Sequence, residues 1–271
     1  MDKKVFGHSV FDESGEMNLT SYNNAYRDML MDIRVYRMNA DEERIFHSGD
    51  EEMAILLQCG KITLYWESRE QSCVRDSVFT EGPWALHIAR DVDVRVVCAA
   101  DDTEILVQRT HNMSYFESRL HAPEDAPWND VCRGKFGDTA NRFVNTIFDY
   151  HSAPFSNMVL GEVINDRGNW SGYVPHHHPQ PEVYYFLFDR PEGFGASFVG
   201  EDVYKSTHGS FSAIPGGMTH PQVCAPGYRM YTCWMIRHLD GSPWMARFDD
   251  PCYAWLNDAK FVDSLPNVVK G

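Results

Sequence analysis

The sequence predicts an all-β chain, a sandwich or barrel built in two halves. Three observations carry that reading. Short apolar or alternating runs recur along the whole length, they are rich in β-branched and aromatic residues, and long helical periodicity is scarce. In the first half the runs are residues 33–36 (IRVY), 53–57 (MAILL), 61–66 (KITLYW), 92–97 (VDVRVV) and 104–107 (EILV). In the second they are residues 158–164 (MVLGEVI), 183–188 (VYYFLF) and 230–236 (MYTCWMI). Gly, Pro, Asp and Asn punctuate the runs, as turns require. Between the two groups, residues 120–127 (LHAPEDAP) have the composition of a linker and divide the chain into domains 1–125 and 126–271.

At 271 residues the chain has enough length to bury an ample core in either half. Hydrophobic residues at 43% and charged residues at 23% describe a soluble globular chain. A formal charge of -15 argues against nucleic acid or an anionic membrane as partner, because both select a positive footprint. A small anionic substrate stays compatible, since a pocket can be locally positive on a negative protein. No apolar stretch reaches the length of a membrane span, and Met1-Asp2-Lys3-Lys4-Val5 leads into polar sequence without a signal-peptide core, so a cytoplasmic protein is expected. The seven cysteines (Cys59, Cys73, Cys98, Cys132, Cys224, Cys233, Cys252) are scattered and lack CxxC spacing. They read as small core residues in a reducing compartment.

Two stretches of the second half concentrate metal-binding side chains: His176-His177-His178-Pro179-Gln180-Pro181-Glu182 and Pro215-Gly216-Gly217-Met218-Thr219-His220. Side chains alternate faces along a strand, so His176 and His178 point one way and His177 the other. A proline-rich turn brings Glu182 back towards them, and His220, after a glycine turn at the end of residues 211–214, supplies the fourth ligand. Three imidazoles and a carboxylate suit one divalent ion, Zn, Mn, Fe or Ni, with a coordination position left for substrate or water. Adjacent histidines also occur as surface tracts or purification tags, but a tag sits at a terminus and has no partnered Glu or distant His. The other histidines, His47, His87, His121, His151, His208 and His238 among them, have no spacing that pairs them.

The halves also read as a diverged repeat. Laying one on the other sets Phe46 and Ser48 opposite His176 and His178, Glu52 opposite Glu182, and Val94 near His220. The first half is therefore expected to keep the fold and lack the metal.

HxH, three residues and Glu, followed downstream by Gly, five residues, PxG, two residues and His, is the two-part motif of cupins, and both parts are present. More closely, the chain resembles the bicupin family of 5-deoxy-glucuronate isomerase, an enzyme of bacterial myo-inositol breakdown. The matching words include Gly161-Glu162-Val163-Ile164, Gly168-Asn169-Trp170-Ser171, Tyr173-Val174-Pro175-His176-His177-His178, Glu182-Val183-Tyr184-Tyr185-Phe186 and Pro191-Glu192-Gly193-Phe194-Gly195. Further matches are Ala225-Pro226-Gly227-Tyr228, Asp250-Pro251 with Ala254-Trp255, and Arg142-Phe143-Val144-Asn145-Thr146-Ile147. The resemblance implies two tandem double-stranded β-helix (jelly-roll) barrels, with metal ligands at His176, His178, Glu182 and His220 in the second. The family has Arg where this chain has Leu187, and Gln-Arg where it has Ser197-Phe198, changes expected to remove positive charge near an acidic sugar.

The activity implied is metal-dependent interconversion of the aldose and ketose forms of a deoxy-uronate-like sugar or sugar acid. A proton leaves the carbon beside the carbonyl and returns to its neighbour, so the site needs a Lewis acid and a proton carrier. Glu182 is the candidate base or dual-role ligand. Tyr184, two residues on and on the same face, is the candidate hydroxyl donor to substrate. Arg237, just past the last long apolar run, is the candidate clamp for a substrate carboxylate. Alternatives are an isomerase of another sugar, an iron-dependent cupin dioxygenase and a non-catalytic sugar-binding cupin; assembly as a homo-oligomer is left open.

Overall fold

The computed structural model of the chain describes residues 4–259 and is almost wholly strand. The first half contains β1 (Phe6–His8), β2 (Glu16–Thr20), β3 (Asp32–Met38), β4 (Glu43–His47), β5 (Glu51–Trp66), β6 (Arg69–Arg75), β7 (Ala85–Ile88), β8 (Asp93–Cys98), β9 (Thr103–His111) and β10 (Arg119–His121). The second contains β11 (Asn129–Val131), β12 (Arg142–Phe148), β13 (Met158–Asn165), β14 (Trp170–Ser171), β15 (His176–His177) and β16 (Glu182–Phe188). It continues with β17 (Phe194–Val199), β18 (Asp202–Thr207), β19 (Ser210–Ile214), β20 (Gln222–Cys224), β21 (Met230–Arg237) and β22 (Phe248–Asp249). Helix among the described residues is confined to short 3-10 turns, and none is long and apolar enough to cross a membrane.

Every run singled out in the sequence lies in a strand, with Val92 alone falling outside β8. Residues 53–57 and 61–66 join into the single strand β5. Its first part pairs with β7 and β9, and its last part pairs with β6 and β8. Gly60, at a φ of 101°, is the corner between these sheets: a Cβ there would lie 2.2 Å from Thr103 Oγ1. The second half repeats the plan with the corner opened into a loop, so β16 and β17 are separate strands. There β19, β16, β21, β13 and β12 lie side by side, opposite a sheet of β14, β20, β17 and β18. The chain is an all-β bicupin, two jelly-roll barrels in tandem.

The long sheets of the two barrels pack against each other. One apolar cluster spans the seam and takes Ala54, Leu56, Ala85 and Leu106 from the first half and Val183, Tyr185, Leu187, Cys233 and Met235 from the second. Alternate residues of the same strands fill the separate barrel interiors: Met53, Ile55 and Leu57 in the first, Tyr184, Phe186 and Phe188 in the second. The first interior is filled by apolar side chains, with Phe46 and Val94 among them.

Glu52 corrects that overlay by one residue. Met53 pairs with Ile88 at the end of β7 as Glu182 pairs with Ile214 at the end of β19, so Met53 is the counterpart of Glu182. Glu52 points out of its barrel into the seam. Its carboxylate there contacts His87 Nε2 at 2.9 Å and accepts from Ser156 Oγ at 2.8 Å and from the Asn157 N–H at 2.5 Å. The linker reading also changes in part, because Leu120 and His121 belong to β10, which pairs with β7. Nor does residue 125 divide the sheets cleanly: β1 crosses over and adds to β19 of the second barrel.

Beside the apolar seam lies a fully buried ion pair. Arg75 of β6 reaches Glu162 of β13 through Nη1 at 2.8 Å and Nη2 at 3.0 Å, with both side chains at 0% exposure. Tyr231 Oη and Asn145 Nδ2 donate to the same carboxylate at 2.7 and 2.9 Å. Replacing Glu162 with Gln leaves the Arg75 charge buried and unpaired, and is expected to cost about 3–5 kcal/mol. Urea unfolding checks this; an unchanged midpoint would contradict the role of the pair.

Candidate metal centre and active site

The two ligand-bearing stretches are locked together by backbone. The Gly217 N–H donates to His178 O at 2.7 Å, and Gly216 lies so close to the Pro179 carbonyl that a Cβ would stand 1.9 Å from its oxygen. β15 carries His176 and His177 on a short pairing with β22. His178, Pro179, Gln180 and Pro181 then turn the chain into β16, which Glu182 opens. From the other side, the turn after β19 delivers His220 just before β20.

His178, Glu182 and His220, all buried, bring one ligand atom each within 4.8 Å of one another. Glu182 Oε2 is 3.0 Å from His178 Nε2 and 3.2 Å from His220 Nε2. His176 stands beside the trio, its ring centroid 4.8 Å from that of His220. His177 faces away, half-buried near Phe248, as alternation predicts.

The hydrogen bonds of the three imidazoles follow one pattern. His176 Nδ1 meets Val174 O at 2.9 Å, His178 Nδ1 meets Gln180 O at 3.0 Å, and His220 Nδ1 meets Met218 O at 2.8 Å. A carbonyl oxygen only accepts, so each Nδ1 carries the ring proton, and in the neutral ring Nε2 presents a lone pair. In that state the lone pairs of His178 and His220 face an anionic oxygen at contact distance, an arrangement that is repulsive unless a cation lies among them. The donor set therefore fits a divalent metal, with the carbonyls fixing tautomer and ring orientation. Burial above all, with the charge of Arg247, pushes the His176 pKa down to about 3, so its ring is neutral near pH 7. Burial raises the Glu182 carboxyl; where no cation lies between them, hydrogen bonds from protonated His178 and His220 outweigh burial and hold it at about 2.

His176, His178 and Glu182 wall a cavity of about 210 Å³ at the mouth of the second barrel. Tyr184 lies in it, buried two residues beyond Glu182, with Gln222 also in the lining. Burial and the Glu182 charge raise its pKa well above the usual tyrosine value, so it keeps its proton. Thr232, Trp234 and Ile236 of β21, the strand paired with β16, continue the same wall.

Arg237 is elsewhere. Ile236 faces the cavity, so the next residue on β21 faces the seam, where Arg237 Nε donates to Thr110 Oγ1 at 2.7 Å and Nη1 to His238 O. The expected carboxylate clamp is not at the site. Two arginines that spacing did not single out line the cavity: Arg142 at the start of β12 and Arg247 just before β22. The only sequence signal for Arg142 was its place in the Arg142-Phe143-Val144-Asn145 family word. Arg247 lies in an aperiodic segment.

The model of the KduI/IolB family matches residues 7–256. The protein named 5-deoxy-glucuronate isomerase from Geobacillus thermodenitrificans is 25% identical, over 95% of this chain and 97% of its own length. That from Geobacillus kaustophilus is 27% identical over 79% and 80%, respectively. Among solved structures, an IolB-like protein from Salmonella typhimurium LT2 superposes with a TM-score of 0.84 at 19% identity, covering 94% of this chain and 99% of that one. An oxalate decarboxylase from Lactobacillus farciminis superposes with a TM-score of 0.66 at 10% identity, covering 96% and 92%. With the fold, both ligand stretches and the family match running nearly end to end, the chain is a member of the KduI/IolB family.

Proposed function

We propose that this chain is a metal-dependent aldose–ketose isomerase acting on a deoxy-uronate-like sugar of the kind for which its relatives are named. The observation that carries the reading is the convergence of His178, Glu182 and His220, with His176 beside them, on a cavity of monosaccharide size. One divalent ion is expected there, Zn, Mn, Fe or Ni by the chemistry of the donors. When bound, it would supply Lewis acidity towards a sugar carbonyl.

The chain's own residues supply the rest. His176, His178, Glu182 and His220 hold the ion, and the three backbone carbonyls keep the imidazoles aimed. Tyr184, protonated and buried, donates a hydrogen bond to the oxygen on which negative charge develops. Glu182 and Tyr184, two residues apart on one face of β16, are the proton-handling pair: a proton leaves C2 of the sugar and returns at C1, a redox-neutral change. Tyr184 is thus both donor and substrate contact.

Elemental analysis of the purified protein should find one divalent metal per chain. His177→Ala should keep it, and His178→Ala should lose most of it. Two tightly held equivalents, or equal losses in these variants, would overturn the ligand assignment. With 5-deoxy-glucuronate as substrate, Tyr184→Phe should lower kcat roughly 10- to 1,000-fold while metal content stays constant. An unchanged kcat would remove Tyr184 from the chemistry, and no turnover by the metal-loaded protein would reject the isomerase reading for this sugar.

A further inference from the structure

The chain buries two arginines and treats them differently. Arg75, in the seam, is neutralised by the bidentate carboxylate of Glu162. Arg142, 4% exposed, has no carboxylate partner among the described residues. Its Nη1 donates to Ala140 O at 2.9 Å and to Cys132 Sγ at 3.2 Å, and Nη2 donates to Tyr173 O at 3.0 Å. Three of its five N–H donors are thereby used, and its charge stays uncompensated at the wall of the cavity. A buried charge without a counter-ion is costly, and one facing a cavity is matched by an anionic ligand.

A second positive group reaches the same cavity. Arg247 is half-exposed, and its ion pair to Asp249 is long, 3.8 Å from Nε to Oδ1. The other oxygen of Asp249 is engaged by Asn257 Nδ2 at 2.9 Å. Near these arginines the indole N–H groups of Trp234 and Trp244, which also line the cavity, are buried without acceptors. Two cations and two unspent donors among its lining residues make the cavity a receptor for an oxygen-rich anion.

The geometry points to Arg142 and Arg247 as the carboxylate-binding residues of the site, which make it select a sugar acid over the neutral sugar of the same size. The substrate's being a sugar rests on the isomerase reading above; the requirement for an anion rests on the unpaired Arg142. Arg142 is the buried half of the clamp, held by two carbonyls, and Arg247 is the more exposed half, reaching the cavity from the segment before β22.

The test is equilibrium binding of D-glucuronate and D-glucose to the metal-loaded full chain, followed by quenching of tryptophan fluorescence, with thermal melts to verify folding. Wild type should bind glucuronate about tenfold or more tighter than glucose, and Arg247→Ala should erase most of that preference without weakening glucose binding. Arg142→Lys keeps the charge but loses the planar fork and should fall between the two. If Arg142→Lys does not fold, the exposed Arg247→Ala alone decides. Equal affinity of wild type for the two sugars, or wild-type glucuronate binding by a folded Arg247→Ala, would overturn the proposal. Arginine-dependent glucuronate binding without isomerase turnover would reject the activity and keep the clamp. Turnover with an unchanged KM in Arg247→Ala would do the reverse.

Discussion

Strand alternation on β16 and β21 is the constraint from which the site follows. Both strands are buried on both faces, one face in the second barrel and the other in the seam between barrels. Glu182, Tyr184, Phe186 and Phe188 therefore face the barrel, while Val183, Tyr185 and Leu187 face the seam. Thr232, Trp234 and Ile236 do the same opposite Tyr231, Cys233 and Met235. A one-residue slip would send Glu182 and Tyr184 into an apolar interface and bring Val183 and Tyr185 to the cavity, so packing on both faces holds the register. The same rule removes Arg237 from the cavity and sends Glu52 of the first half into the seam.

The seam is where the first barrel contributes. Its own interior is filled by apolar side chains, Phe46, Met53 and Val94 among them. Its charged residues instead reach outward: Arg75 to Glu162, and Glu52 to Ser156 and Asn157. Both contacts end on the second barrel, at β13 or the residues just before it. β13 pairs along its length with β21, whose next partner is β16. Anchoring β13 thus steadies the two strands that carry the cavity.

The departures from the family pattern lie outside the cavity. Leu187 packs in the seam, Ser197 is buried with its hydroxyl 2.8 Å from that of Ser212, and the Phe198 ring lies 5.5 Å from Trp170. An arginine lost from these positions would not have been facing Glu182 and Tyr184. Positive charge at the cavity comes instead from β12 and from the segment before β22.

Much of this was legible in the sequence. Period-two apolar runs marked the strands, and the spacing of His176, His178, Glu182 and His220 marked the candidate ligands, because local alternation and turn chemistry act within a few residues. The pairing that decides which face a strand buries is not local. Glu52 and Glu182 look equivalent in an overlay of the halves, and only the ladders to β7 and β19 show that Met53 occupies the counterpart position. Arg237 looked like a free strand-end cation, and Arg142 looked like one residue of a family word. Which of the two is satisfied by hydrogen bonds in the seam, and which is buried without a counter-charge beside the imidazoles, depends on chain segments distant in sequence. The sequence by itself determined the two-barrel fold and the donors for a metal; tertiary structure decided which charges face the cavity, because a strand's two faces differ only in what packs against them.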